Sequence, residues 1–269
     1  FNFRNEMLND KKIKKIVDFE SASEVFPGVD IPGGVCYFLR DKFHNGDCEV
    51  VNFNKNERIS SIRKLNEFQI FIRRKEAISI IKKVQKWKNE NNAESLSQVV
   101  SPRKPFGLPT NYKPTNSGVQ CYFIKKIGKK YARKSDIKIG HDLIDKWKVL
   151  LPKAPIAGQT DFSKPVKFYH HDNVIIAEPG TCCTESWIIA ASFSAKEEAL
   201  NFRSYLFTKT FRFLLLQSVI SQDVIRGNFK FIPAMKNYKN KLNDKNLKKM
   251  WKFTQSEWKQ IDERILSIE

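Results

Sequence analysis

The densest chemistry in this sequence lies between residues 122 and 134. Lys125, Lys126, Lys129, Lys130, Arg133 and Lys134 occur there without an acid, and Tyr122, Phe123 and Tyr131 are interleaved with them. Neutralising phosphates takes cations at about this density, and neighbouring aromatics can stack on bases or wedge into a groove. A solvated face of a lysine-rich chain is the competing reading. A second basic run, 236–252, holds seven lysines and one aspartate. It could grip backbone phosphates or serve as a solvated helix or linker.

Other residue patterns offer less. His170-His171 and Cys182-Cys183 are the possible metal ligands. Neighbours on a strand point to opposite faces, so at most one of each pair faces a given site, and no C-x-x-C is present. No metal site is expected. Gly28, Gly33 and Gly34 do not spell G-x-G-x-x-G, and G-K-[ST] is missing, so they read as turn glycines. The nucleophile elbow G-x-S-x-G is also missing. Glu257-Trp258-Lys259 has the E-x-K spacing of some nuclease sites, but it falls where a helix should begin, and the spacing reads as coincidence. No catalytic residue is assigned.

The elements that must position these residues follow from periodicity. Residues 3–8 read as a short helix. Strands are expected at 13–19, 35–39 and 48–53. The middle one is continuously apolar (Val35-Cys36-Tyr37-Phe38-Leu39), as in a strand buried on both faces. Residues 54–66 read as a polar linker, 68–73 as a short strand and 75–90 as an amphipathic helix. The stretch 91–117 is loop-like. Short strands are expected at 119–124, 147–151, 166–169, 174–177 and 186–191, separated by Gly and Pro. Ser194 and Glu197 have capping-box spacing before a helix carrying Phe202, Leu206, Phe213 and Leu214. A strand at 229–232 ends at Pro233. In the basic tail, Thr254 and Glu257 form a second capping-box signature, with Trp258, Ile261 and Ile265 on one stripe.

Composition narrows the function classes. The 269 residues are 41% hydrophobic and 29% charged, enough for a core and too apolar for a wholly disordered chain. No run approaches the roughly 18 apolar residues of a membrane span. The longest, 213–220, contains Gln217 and Ser218. The first twenty residues are mixed and charged, unlike a secretory signal. Lys and Arg number 48 against 29 Asp and Glu, a net charge of +19. Such a field concentrates polyanions, so the partners reduce to DNA, RNA or an anionic membrane surface. The five cysteines are odd in number and irregularly spaced, and read as reduced thiols of a cytoplasmic protein. Because the chain opens on Phe1, it is taken as a piece of a longer polypeptide, or a trimmed one.

One series of motifs is specific. Phe3-Arg4-Asn5-Glu6-Met7-Leu8-Asn9-Asp10, Ile16-Val17-Asp18-Phe19, Val25-Phe26-Pro27-Gly28-Val29 and Gly33-Gly34-Val35-Cys36-Tyr37-Phe38-Leu39 follow in order. The series resembles the last strands of the catalytic domain of adenine-N6 DNA methyltransferases of restriction–modification systems, the gamma class with a TaqI-like specificity domain. Residues 68–73, 142–149, 221–224 and 229–233 resemble that family's recognition domain more loosely.

The resemblance implies an α/β plus α+β fold. Residues 1–55 would be the last strands of a Rossmann-like methyltransferase sheet, and 56–117 a helical linker and entry to the recognition domain. Residues 118–233 would be the mixed α+β target-recognition domain and 234–269 a basic helical tail. The parent enzyme would flip an adenine and methylate it from S-adenosylmethionine. Phe26 is then the residue that stacks on the flipped base, or else packs beneath the Pro27-Gly28 turn. The Asn/Asp-Pro-Pro-Tyr motif and the Gly-rich cofactor turn are missing from this sequence. The chain is therefore expected to bind no cofactor and to recognise double-stranded DNA without methylating it alone.

Lys125, Lys126, Lys129, Lys130, Arg133, Lys134 and Lys153 would contact the DNA. Gln222, Asp223 and Arg226 are the first choices for base edges, since Gln can pair with adenine and Arg with guanine. Partners would be DNA, with the N-terminal methyltransferase part or a restriction subunit as the protein partner, and no membrane. The alternatives are a stand-alone DNA specificity subunit directing a separate methylase or nuclease, a chain with a fused nuclease, or an RNA binder.

Overall fold

The computed structural model describes residues 2–29, 31, 33–54, 57–155, 161, 163–219 and 223–268. The fold is mixed, with several small sheets and surrounding helices.

The N-terminal part is a short helix, α1 (Asn2–Asn9), and a four-stranded sheet. Its strands are β1 (Ile13–Phe19), β2 (Val35–Arg40), β3 (Cys48–Asn54) and β4 (Glu57–Arg63), in the order β2-β1-β3-β4. β1 runs parallel to β3, while β2 and β4 pair antiparallel at the two edges. Residues 54–66, expected as a linker, thus contribute an edge strand. β4 is polar and mostly exposed, so no apolar alternation announced it. Gly34 closes the β1–β2 turn at φ +75°. A Cβ there would strike the Phe19 carbonyl oxygen, so only glycine fits.

β2 corrects the sequence reading. Its apolar run was expected to be buried on both faces. Instead Tyr37, Phe38 and Leu39 are each half exposed or more, because β2 is an edge strand that no other layer covers.

A second sheet, β10-β7-β8, is the centre of the remaining chain. It comprises β7 (Trp147–Pro152), β8 (Ile175–Ala177) and β10 (Trp187–Phe193), all antiparallel. Alternation divides its residues between two cores. Val149, Leu151, Ile188 and Ala190 face a helical layer. That layer contains α2 (Lys75–Glu90), α3 (Leu96–Val99), α5 (Lys196–Phe207), α6 (Lys209–Leu216), α7 (Asp244–Met250) and α8 (Gln255–Arg264). Leu150, Trp187 and Ile189 face a third sheet, β6-β5-β9. Its strands are β5 (Val119–Tyr122), β6 (Lys129–Ala132) and β9 (Thr181–Cys183), preceded in space by the one-turn helix α4 (His141–Ile144).

Several local expectations change. Residues 68–73 form no strand. Val166, Phe168 and Tyr169 are buried, but residues 166–169 contribute one bridge, Val166 with Ile265. Residues 229–231 lie in a 3-10 helix (Arg226–Phe231) that Ile232 caps, and not in a strand. The Ser194–Glu197 box does not form, since Ala195 is the N-cap of α5. Thr208 instead separates α5 from α6, and its side chain caps Phe211 N at 3.1 Å. The Thr254–Glu257 box does form at α8. The tail is built into the main core through Tyr238, Leu247, Trp251, Phe253, Ile261 and Ile265. Among the described residues, no helix is long and apolar enough to cross a membrane.

Candidate nucleic-acid interface

The basic segment folds as a hairpin. β5 and β6 pair antiparallel, with Gln120 opposite Tyr131, Cys121 opposite Lys130 and Tyr122 opposite Lys129. Cys121 and Ala132 turn inward and are fully buried. The opposite face therefore carries Gln120, Tyr122, Lys129 and Tyr131. Lys125 and Lys126 occupy the turn, and Arg133 and Lys134 continue beyond β6. All six cations are exposed. Among the described residues only Lys129 meets a carboxylate, that of Glu178. The other five have none within ion-pair distance.

Three contacts hold this hairpin rigid on its support. Glu178, in the turn between β8 and β9, accepts hydrogen bonds from Lys129 and from the Tyr122 hydroxyl (2.7 Å). Burial works to raise the Glu178 pKa, but these two donors outweigh it and hold the carboxyl down at about 2. Lys148 reaches the same turn from below. Its side chain is fully buried, and Nζ donates to the carbonyls of Leu143 (3.1 Å), Ile144 (3.0 Å), Lys146 (2.7 Å) and Glu178 (3.3 Å). Burial pulls its pKa down to about 8, opposed by Cys183, Cys182, Glu178 and Asp145 nearby. On the far side the Tyr112 hydroxyl donates to Asp136 (2.7 Å) and accepts from Arg133 N (3.1 Å).

The remaining candidates are dispersed. Lys153 and Asp223 come together, but as an ion pair at 3.0 Å, with Val224 N donating to Lys153 O at 2.8 Å. Their charges are spent on holding 223–224 against the end of β7. Arg226 donates to the carbonyls of Ser97 and Gln98 (3.0 Å to the latter), closing the C-terminal end of α3. Its guanidinium is thus occupied within the fold. Gln222 lies outside the described residues. Phe26 sits in the β1–β2 connection, 51% exposed, with Val25, Val29 and Ile31 exposed beside it. On the hairpin itself, Lys129 shares the outward face with Gln120, Tyr122 and Tyr131, Lys130 lies across from Cys121 on the other side, and Lys125 and Lys126 crown the turn between them.

In the basic tail, Asp244 turns inward and accepts from Lys209 N, Thr210 N and the Thr210 hydroxyl. Lys236, Lys239, Lys241, Lys245, Lys249 and Lys252 are exposed, and none meets a carboxylate among the described residues. Asp244 thus leaves this surface without a counter-charge.

A further group of cations was not visible in the sequence. Arg4, Arg73, Arg74, Lys230 and Arg264 line one cleft with Glu20. The sequence separation of up to 260 residues hid it, and only the adjacent Arg73-Arg74 pair was a signal.

Cys121, Cys182 and Cys183 are buried and free, and no cluster of three or more His, Cys, Asp or Glu side chains fit for a metal exists among the described residues. Gly28, Gly33 and Gly34 lie in the connection between β1 and β2.

No protein-family model matches this chain, and no curated protein matches it.

Proposed function

We propose that this chain recognises double-stranded DNA, as the target-recognition part of an adenine-N6 DNA methyltransferase of the restriction–modification type. The observation that carries this reading is the β5–β6 hairpin. Five of its six exposed cations have no carboxylate partner among the described residues, and Gln120, Tyr122 and Tyr131 share one face between them. Cations of this density fix a protein on the phosphate backbone, while amide and phenol groups can reach base edges. The net charge of +19 supplies the long-range attraction.

The four-stranded sheet supports the second half of the reading. It is proposed as the end of a Rossmann-like methyltransferase sheet, with Phe26 as the platform for a flipped adenine. The face formed by Val17, Phe19, Val51 and Phe53 is flanked by exposed Tyr37, Leu39 and Ile62. That face and the β2 edge fit a catalytic part carried on the same or another polypeptide. The chain by itself transfers no methyl group, since it holds neither a cofactor cradle nor the adenine-binding motif.

The test is duplex binding at several salt concentrations, followed by selection from a randomised duplex pool. A steep salt slope with an enriched short motif is expected. A steep slope with no motif reduces the chain to a backbone binder and overturns sequence recognition. Equal affinity for duplex RNA overturns the DNA reading. If methylation requires a separately added polypeptide, the chain is a specificity subunit of the same assembly.

A further inference from the structure

We propose that the cleft between the four-stranded sheet and the helical layer is a phosphate-binding site, distinct from the hairpin surface. The cleft has a volume of about 460 Å³, within the range of small-molecule sites. Its walls come from separate parts of the chain: Arg4 on α1, Arg73 and Arg74 before α2, Lys230 on the 3-10 helix and Arg264 at the end of α8.

Asp18 and Glu20 pair with cations of the cleft, and Asp161 also acts on Arg264. Asp18 takes Arg73 in a bidentate pair (2.7 and 2.8 Å). Glu20, almost fully buried, takes Arg74 in a bidentate pair and has Arg264 at 3.7 Å. Arg4 and Lys230 meet no carboxylate among the described residues. Burial, then the nearby Arg4 charge, pushes the Lys230 pKa down. Burial, then Arg74, does the same to Arg264, down to about 10, with Glu20 opposing.

Like charges brought together in a partly desolvated space cost free energy unless a counter-charge joins them. A purely structural network would match cations to carboxylates, as Arg73 and Arg74 are matched. Here the excess faces an open cavity. Arg73 is held by Asp18 and by the Gly33 carbonyl (2.6 Å), Arg74 by Glu20, and Arg264 by the Ser163 carbonyl (2.8 Å) and Glu20, so the Arg4 guanidinium fork and the mobile Lys230 charge are the groups placed to meet a tetrahedral oxyanion. The surrounding polar groups are spent on each other: Asn228 donates to Ser218 O (2.5 Å), and Gln217 to Phe213 O (2.9 Å). They hold the walls and leave recognition to the cations. The occupant is thus a phosphate group, either free or on a mononucleotide, or a phosphodiester of a bound nucleic acid.

Lys230→Gln and Arg4→Gln test this without touching the Asp18 and Glu20 pairs that hold the fold. The first arm titrates inorganic phosphate and a deoxynucleoside monophosphate calorimetrically. Binding by the native chain, weakened at least tenfold in the double variant and unchanged in Lys125→Gln/Lys126→Gln, supports a free-phosphate site. The second arm measures duplex binding against salt. If free phosphate does not bind, a slope about 0.9 shallower in the double variant, equivalent to one fewer phosphate neutralised, supports a backbone phosphate in the cleft. Circular dichroism and unfolding curves matching the native chain confirm that the variants fold. The proposal is overturned if no arm distinguishes the double variant from the native chain. The hairpin reading survives that result, and its own failure would show in Lys125→Gln/Lys126→Gln instead.

Discussion

β2 and β7 have nearly the same apolar content and opposite fates. Val35-Cys36-Tyr37-Phe38-Leu39 lies at a sheet edge with both faces open, whereas Val149-Leu150-Leu151 is fully buried between two layers. The difference comes from neighbours in space. β7 is the central strand of its sheet, with helices on one face and the β6-β5-β9 sheet on the other. β2 has one strand neighbour and no covering layer. An apolar run thus records that a strand needs cover, and the cover itself is a separate fact. An exposed edge of this kind is a template for pairing with another chain.

The largest expected effect tests the buried side of this contrast. Leu150→Ala removes a fully buried side chain from the inner face of β7 and should cost about 2–5 kcal/mol in denaturant unfolding. Leu39→Ala in β2 should cost less than about 1 kcal/mol, because the side chain is already half exposed. Equal costs would mean that β2 is covered in solution.

The next effect separates charge on the supported hairpin from the support. Lys125→Gln/Lys126→Gln/Lys130→Gln should make the salt dependence of duplex binding shallower by about 0.9 for each phosphate that is no longer neutralised. The melting temperature should stay unchanged, since these side chains are exposed and have no carboxylate partner among the described residues. A shift in melting temperature without a shift in slope would make them structural.

A smaller effect tests how the hairpin is held. The pKa of Glu178 in the folded chain lies below its ordinary value of 4.5, so its carboxylate stabilises the fold above about pH 4.5. That contribution is lost as pH falls from about 4.5 towards 2. Glu178 and Lys129 are each about a third exposed, and solvent screening limits the contribution to about 1 kcal/mol or less. Glu178→Gln should flatten the acid limb of thermal stability by that amount. An unchanged acid limb would remove Glu178 as the anchor.

The smallest change in stability is expected from Leu39→Lys, within about 0.5 kcal/mol, although it should lower self-association measured by sedimentation. If association persists, the β2 edge is not the adhesive surface.

Legibility followed the range of the interactions. β1, β3, α2 and the Thr254–Glu257 cap were readable because each depends on residues within one strand or helical turn. β4 was not, since its polar sequence is drawn into the sheet by β3. β9, only three residues long, exists through its parallel pairing with β5, where Cys121 meets Cys182. Ser194 had the right spacing to cap, but α5 starts one residue later than that box requires. Within the candidate interface, the hairpin cations were readable as a contiguous run. Arg226, chosen for a base edge, donates to the Ser97 and Gln98 carbonyls, about 130 residues away.

Charge, apolar content and local caps were determined by the sequence alone, because each is a property of a residue or of near neighbours. The tertiary structure decided which apolar strand is covered, which cations keep their charge free for a partner, and which arginines converge on one cleft. Burial and ion pairing are relations between surfaces, and folding brings those surfaces together from distant parts of the chain.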